Sequence, residues 1–292
     1  MSVNEPWRSE YPFESHYLGL NGGVRLHYLD EGPRAEEAVL MLHGNPTWSF
    51  LYRRVVLALR DRIRCVVPDH VGMGLSDKPR HYAYRLAQRI ADIETLIAHL
   101  GLRRVHLIVH DWGGAIGCGV ATRALDRVGK IVLLNTAAFP DSCIPRRIAV
   151  CRWPLLGALL VRGLNGFARA AISMAVTKPL PAIVRAGYLA PYRSWGDRIG
   201  VHRFVCDVPL RPSHPSYALL ERIGTDLSWL RAKPILIGWG ARDFCFGDHF
   251  LARWQTIFPD ARVERFADAG HYVLEDAGEQ LVPMIREFVL SG

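Results

Sequence analysis

The sequence predicts an α/β fold in which a mainly parallel central sheet is flanked by helices. Short apolar runs, such as residues 38–42, 105–109 and 131–135, have the composition of strands that are buried on both faces. Helical stretches separate these runs, and residues 84–100 carry apolar side chains with a 3.6-residue period. Strands that alternate with helices in this way favour a parallel sheet with right-handed crossovers.

The same patterns, followed along the chain, predict a core with an insertion. Residues 137–230 contain nine prolines and several helical apolar stretches, but no strand alternation. We therefore expect a core of residues 1–136 and 231–292 and a helical cap of residues 137–230. Two sequential domains are the alternative, although the last strand and helix look like completions of the first sheet. Strands are predicted at 24–29, 38–42, 64–67, 105–109, 131–135, 234–240 and 261–266, and core helices at 49–61, 84–100, 115–121, 247–258 and 276–290.

A sharp turn from strand to helix is predicted at Asp111. It follows a buried strand, and Gly113 and Gly114 stand two and three places after it, which is the nucleophile-elbow pattern of the α/β-hydrolase fold. An aspartate at the apex can displace a leaving group from saturated carbon and form an alkyl ester. Alternatively, Asp111 only caps the helix. Val109 departs from the pattern, because many elbows have a small residue two places before the nucleophile.

A histidine and a second acid would complete a catalytic triad. His271 follows the last predicted strand on a glycine-containing turn, and nucleophile, acid and histidine then occur in the order typical of this fold. The acid should orient the imidazole and stabilise its charged form. We favour Asp243, just beyond the penultimate strand, over Asp141. A solvated loop carboxylate is the alternative for both.

Two N–H donors are placed for an anion beside the nucleophile. Asn45 follows His43 and Gly44 at the end of a central strand, and Trp112 follows Asp111 directly. An indole N–H donates but does not accept, so Trp112 suits a halide or a departing carboxylate. Alternatively, Trp112 only packs under the cap and Asn45 is a turn residue. The sequence contains no metal-ligand spacing or phosphate loop, so we expect no metal and no cofactor.

Positive charge is concentrated in one segment. The net charge is +8, but residues 140–233 hold 14 Lys+Arg against 5 Asp+Glu. No basic-aromatic motif accompanies this surplus, which argues against nucleic acid as a partner. A basic, apolar segment suits a membrane surface, an acidic protein or an anionic lipid-like substrate, and an ordinary solvated face fits equally well.

The cysteines and the chain start suggest a cytoplasmic protein. No signal peptide or membrane span is recognisable, and the cysteines lack paired or metal-binding spacing. We expect buried thiols in a reducing compartment at Cys65, Cys118, Cys143, Cys151, Cys206 and Cys245.

Three stretches, residues 43–49, 69–79 and 110–114, resemble the haloalkane dehalogenase family. The resemblance implies that Asp111 is the nucleophile and His271 the base, and that Asn45 and Trp112 hold the halide. An acid placed as Asp243 marks some branches of that family.

The arginine-rich cap and residues 207–217 are similar, more narrowly, to the β-lactone decarboxylases of bacterial long-chain olefin synthesis. That resemblance implies conversion of a cis-β-lactone with two long alkyl arms into a cis-alkene and CO2. It also implies a complex with the other enzymes of that pathway.

Three other functions remain open at the sequence level. The same residues could hydrolyse a carbon–halogen bond. An epoxide hydrolase would need cap tyrosines, for which Tyr188, Tyr192 and Tyr217 are available, although Asn45 beside Gly44 speaks against it. A ligand-binding module on a hydrolase scaffold usually lacks a catalytic member, and none is missing here.

Overall fold

The computed structural model describes residues 5–142 and 144–291, so the thiol predicted at Cys143 lies outside the described residues. One eight-stranded sheet crosses the molecule in the order β1-β2-β4-β3-β5-β6-β7-β8. The strands are β1 (His16–Gly19), β2 (Arg25–Glu31), β3 (Glu37–Leu42), β4 (Arg64–Pro68), β5 (Arg104–Asp111), β6 (Val128–Thr136), β7 (Ile235–Gly240) and β8 (Arg262–Phe266).

Helices cover both faces of the sheet and one end of it. They are α1 (Arg53–Leu59), α2 (Leu86–His99), α3 (Trp112–Ala121), α4 (Arg146–Val150), α5 (Leu156–Ala158), α6 (Gly166–Met174), α7 (Ala182–Leu189), α8 (Ile199–Cys206), α9 (Tyr217–Asp226), α10 (Asp248–Ile257), α11 (Val273–Asp276) and α12 (Gly278–Leu290), with a π-helical turn at Leu159–Gly163. Short 3-10 segments lie at Pro6–Glu10, Asn21–Gly23, Ser49–Tyr52, Leu125–Arg127 and Leu227–Leu230.

The sheet is mainly parallel, as the sequence predicts. All strand pairs from β4 through β3 to β8 are parallel, and only β1 and β2 run antiparallel to their neighbours. The α/β-hydrolase fold class is therefore confirmed.

Each central strand contributes side chains to two apolar layers, one on each face of the sheet. In β3, Leu40 and Leu42 pack into one layer and Val39 and Met41 into the other, and all four are fully buried. Successive side chains of a strand point to opposite faces, so an unbroken apolar run is what a sheet covered on both sides requires. Burial of each such side chain contributes about 1.5–3 kcal/mol.

The segment between β6 and β7 holds helices α4 to α9 and, in its described residues, no strand. Backbone carbonyls of this segment accept hydrogen bonds from the loops that follow the strands. Trp48 Nε1 donates to Gly187 O at 3.1 Å, and the Tyr272 backbone N–H donates to Ala175 O at 2.7 Å. These bonds place the helical segment over the carboxyl ends of the strands, where open α/β sheets bind ligands. None of the described helices is long and apolar enough to cross a bilayer.

Candidate active site

Asp111 lies at the apex of a tight elbow between β5 and α3. Its backbone has φ 53° and ψ −125°, a conformation that a non-glycine residue rarely adopts. A Cβ at Gly113 would lie 1.9 Å from the carbonyl oxygen of Leu42, and one at Gly114 would lie 1.8 Å from Thr136 Oγ1. Only glycines at these positions let α3 approach the neighbouring strands so closely. The Asp111 side chain makes no N-capping hydrogen bond, so capping of α3 does not account for an aspartate here.

Val109 fits the elbow despite its size. Its side chain is fully buried, and a Cβ at Gly117 would lie only 2.7 Å from Val109 Cγ1. The helix therefore supplies the small residue that the strand lacks.

Asp111, His271 and Asp243 come together in one buried cluster. His271 Nδ1 donates to Asp243 Oδ2 at 2.7 Å, and His271 Nε2 lies 3.7 Å from Asp111 Oδ2. The Asp243 carboxylate is held in turn by the backbone N–H of Cys245 at 2.6 Å. Asp141 instead lies 3.8 Å from His249 Nε2. The geometry thus joins the imidazole to the acid that the sequence favoured.

The pKa values of Asp111 and His271 are both shifted upward. Burial raises the pKa of Asp111, and it is opposed by the charge of His271 and by the backbone N–H groups of Asn45 and Trp112. Burial alone would lower the pKa of His271, but the charge and hydrogen bond of Asp243, together with the charge of Asp111, raise it above the ordinary value. The cluster therefore favours an imidazolium beside Asp111.

His110 is a site residue that sequence reasoning missed. Its Nε2 donates to the backbone carbonyl of His271 at 2.8 Å, and the two rings lie 4.5 Å apart. Burial holds the pKa of His110 well below its ordinary value, so the ring is neutral and its proton is committed to that bond. Phe246 stacks on the His271 imidazole at 5.7 Å. The sequence does carry one signal for His110, because it is a polar residue at the end of an otherwise apolar strand.

Asn45 and Trp112 both line the cavity in front of Asp111, but their N–H groups differ in their hydrogen bonds. The backbone N–H of Asn45 donates to Asp111 Oδ1 at 2.6 Å, and its side-chain Nδ2 donates to Val201 O of α8 at 3.1 Å. One hydrogen of that amide group remains for a ligand. The indole N–H of Trp112 has no hydrogen-bond partner among the described residues, and its ring packs against Phe204 at 5.5 Å.

The cavity in front of Asp111 has a volume of about 140 Å³ and a mostly apolar lining. It is lined by side chains from both the core and the helical segment: Asn45, Asp111, Trp112, Ala115, Ala137, Phe139, Asp141, Ile144, Pro145, Ile148, Phe167, Val205, Val208, Pro209, Leu220, Cys245, Phe246 and Phe250.

Tyr188, Tyr192 and Tyr217 are not in this lining. Tyr188 donates instead to Glu275, and Tyr192 is buried beside Thr47, so neither is placed to hold an epoxide oxygen. Within residues 5–142 and 144–291, no group of three or more His, Cys, Asp or Glu side chains could hold a metal ion.

The α/β-hydrolase fold family profile matches residues 37–278. This match spans most of the chain, including the elbow and His271. The chain belongs to the α/β-hydrolase family.

Within that family the chain is similar to two kinds of curated protein. It is 46% identical to a cis-3-alkyl-4-alkyloxetan-2-one decarboxylase of Shewanella oneidensis over 95% of this chain and 89% of that one. It is 45% identical to the protein of the same name in Xanthomonas campestris, over 96% and 97%. Haloalkane dehalogenase 2 of Mycobacterium tuberculosis is 35% identical over 95% of both chains.

The solved structure of haloalkane dehalogenase DbeA from Bradyrhizobium elkani superposes with a TM-score of 0.85. It is 22% identical and covers 95% of this chain and 97% of its own. At that identity the likeness supports the fold alone.

Proposed function

We propose that this protein is a cis-β-lactone decarboxylase that forms a long-chain cis-alkene and CO2, with Asp111 as nucleophile. The observation that carries the proposal is the 45–46% identity, over nearly the full length, to two oxetanone decarboxylases, against 35% to a haloalkane dehalogenase. A β-lactone is an oxetan-2-one, so those relatives' name specifies the ring that Asp111 would open.

In the first step, Asp111 attacks the ring carbon that bears the lactone oxygen. A bond forms between the Asp111 carboxylate oxygen and that saturated carbon, and the ring carbon–oxygen bond breaks with inversion. The bonding pair stays on the ring oxygen, which becomes part of a free carboxylate. The Trp112 indole N–H and the second amide hydrogen of Asn45 orient this carboxylate.

In the second step, the carbon–carbon bond to the carboxylate breaks and CO2 departs. Its electron pair forms the alkene, while the ester bond to Asp111 breaks and the carboxylate is restored. Inversion followed by anti elimination has the same net geometry as syn loss, so a cis-lactone gives a cis-alkene. The apolar lining leaves the intermediate carboxylate poorly solvated, which favours its loss as CO2.

Neither step consumes water or a proton, so His271 acts here without being a general base. Its imidazolium, held by Asp243 at 2.7 Å, lies beside Asp111 Oδ2 and stabilises the carboxylate that returns in the second step. The buried ring and the apolar cavity also keep water from the ester intermediate.

Haloalkane dehalogenation is the second candidate, because the indole N–H of Trp112 would also suit a halide. That reaction needs His271 to activate a water against the ester. The two functions are separated by incubating the protein in parallel with a dialkyl cis-β-lactone and a long 1-haloalkane. Alkene from the lactone without halide from the haloalkane supports the proposal, whereas halide release alone would replace it with the dehalogenase.

Asp111→Ala is the matched control for both substrates. Loss of the nucleophile should lower turnover by about 10⁴-fold or more. Activity retained on either substrate would remove the assignment of Asp111.

We also propose that the protein is cytoplasmic and that it forms a complex with the other enzymes of olefin biosynthesis. The thiols described at Cys65, Cys118, Cys151, Cys206 and Cys245 are free, which suits a reducing compartment. Co-purification of pathway enzymes with the tagged full chain supports the complex; a chain that purifies alone from cells making the alkene contradicts it.

A further inference from the structure

Apolar side chains are exposed together on one face of the helical segment. Nine large hydrophobic side chains are exposed in the described residues, and six of them belong to this face. Leu155 is 88% exposed and Trp153 is 57% exposed. Scattered exposed hydrophobics need no explanation, but a cluster of this kind marks an interaction surface. We call it the apolar face, and its members are Trp153, Leu155, Leu156, Leu159, Leu164 and Trp195.

Local geometry makes the face continuous. Residues 156–163 form one short helical run, α5 followed by the π-helical turn, with Leu155 and Leu164 flanking it. A Cβ at Gly163 would lie 3.0 Å from Leu159 Cδ1 and 3.6 Å from the Trp195 ring. Leu155 precedes the run at φ 59°, a left-handed conformation that costs energy for a leucine and here holds its side chain in solvent.

Arginines flank the face on both sides. Arg152 and Arg211 line a groove next to Trp153, with a volume of about 450 Å³. On the other side the Arg162 guanidinium lies over the Trp195 ring at 4.5 Å. Burial lowers the pKa of Arg162, and repulsion from Arg203 and Arg80 lowers it further.

Within residues 5–142 and 144–291, no salt bridge involves Arg80, Arg152, Arg162, Arg203 or Arg211. Arginines that repel one another and form no salt bridge in this part of the chain are complementary to a dense negative surface.

Most of the apolar face lies close to the cavity lining along the chain. Five of its six members, Trp153 to Leu164, stand in sequence between Ile148 on α4 and Phe167 on α6, and both of these side chains line the cavity in front of Asp111.

We propose that the apolar face docks on a bilayer that contains anionic phospholipids, with its leucines and tryptophans in the interfacial region and the flanking arginines on the headgroup phosphates. Trp and Leu beside Arg is the composition of interfacial membrane-binding elements. An acidic protein would match the arginines but would leave Leu155 and Leu156 without an apolar partner. This docking goes beyond the proposed reaction, whose steps at Asp111 involve no membrane.

Vesicle co-sedimentation of the full chain tests the proposal without any substrate. Binding is expected to vesicles of equal parts phosphatidylglycerol and phosphatidylcholine at low salt, to weaken at high salt, and to be much weaker to phosphatidylcholine alone. Leu155→Ser with Leu156→Ser should weaken binding about tenfold or more. Arg162→Gln and Arg203→Gln should each weaken it about fivefold.

Matched controls come from outside the face. Leu57→Ser and Arg127→Gln alter an exposed leucine and an exposed arginine on the core, and both should bind like the unmodified chain. Equal losses in these controls, or no binding at low salt, would overturn the proposal. A dimer that becomes a monomer in the Leu155 and Leu156 variant, without vesicle binding, would assign the face to a second copy instead. Unchanged alkene formation from a short-chain lactone in the same variant keeps this result separate from the proposed reaction.

Discussion

Gly44→Ala should disable the nucleophile while leaving the fold intact. A Cβ at Gly44 would lie 1.9 Å from Asp111 Oδ1 and 2.4 Å from Asp111 Cβ, whereas real Cβ contacts are essentially never shorter than 3.0 Å. The carboxylate must therefore move by about 1 Å, and a misplacement of that size costs about 10²-fold in rate. The movement also strains the 2.6 Å hydrogen bond from the Asn45 backbone to Asp111.

The assay is gas-chromatographic measurement of alkene formed from a dialkyl cis-β-lactone, as kcat/KM. Gly19→Ala is the matched control, because a Cβ at Gly19 meets no atom within 4 Å. Circular dichroism should show the same fold in both variants. Full activity in a folded Gly44→Ala protein would refute the close packing of Asp111 against the β3 loop, and with it the geometry on which the mechanism depends.

Three further results are expected around the same cluster. Asp243→Asn should lower kcat for the lactone by about tenfold to 10²-fold, less than in a hydrolytic triad because no water is activated; an undiminished kcat contradicts the role given to His271. The acid limb of kcat/KM should lie above the ordinary carboxyl value of 3.8, because burial raises the pKa of Asp111 and its carboxylate must be ionised to attack; full activity below that pH would show otherwise. Asp111→Asn should raise Tm at neutral pH, because a raised folded-state pKa of Asp111 means that the ionised carboxylate destabilises the fold. This gain in Tm should vanish below the unfolded-state pKa, where the carboxyl group is protonated in both states. Thermal melts across pH measure the effect, and a lower Tm at neutral pH contradicts it.

The sequence predicts the core because its signals are local. The apolar run of β3 is removed from water only when both faces of the strand are covered. The two glycines after Asp111 are required by the close approach of α3 to the neighbouring strands. Strand β1 has no such signal, because it is four residues long and only Leu18 is buried. The helix predicted at 49–61 is a 3-10 segment followed by α1, and that predicted at 276–290 corresponds to α12, which begins two residues later, at Gly278.

The site was predictable where chain order limits the choices. Asp243 follows β7 and His271 follows β8, and adjacent parallel strands bring the ends of their loops together. Two hydrogen bonds of the site join distant parts of the chain. The bond from His110 to the His271 carbonyl spans 161 sequence positions, and the bond from Asn45 to Val201 spans 156. No local pattern encodes such contacts. The exposure of Leu155 likewise depends on how the helical segment folds, so only a basic, apolar stretch was recognisable in the sequence.

The central claim is that Asp111 bonds to saturated carbon during turnover. A rapid-quench reaction with a lactone labelled with ¹⁸O in the ring, followed by mass spectrometry of the Asp111 peptide and of the released CO2, tests it most directly. We expect a transient adduct on Asp111 with the mass of the intact lactone, and the ring label in CO2. Alkene formed without an adduct on Asp111, or ring ¹⁸O released as water, would contradict the displacement mechanism.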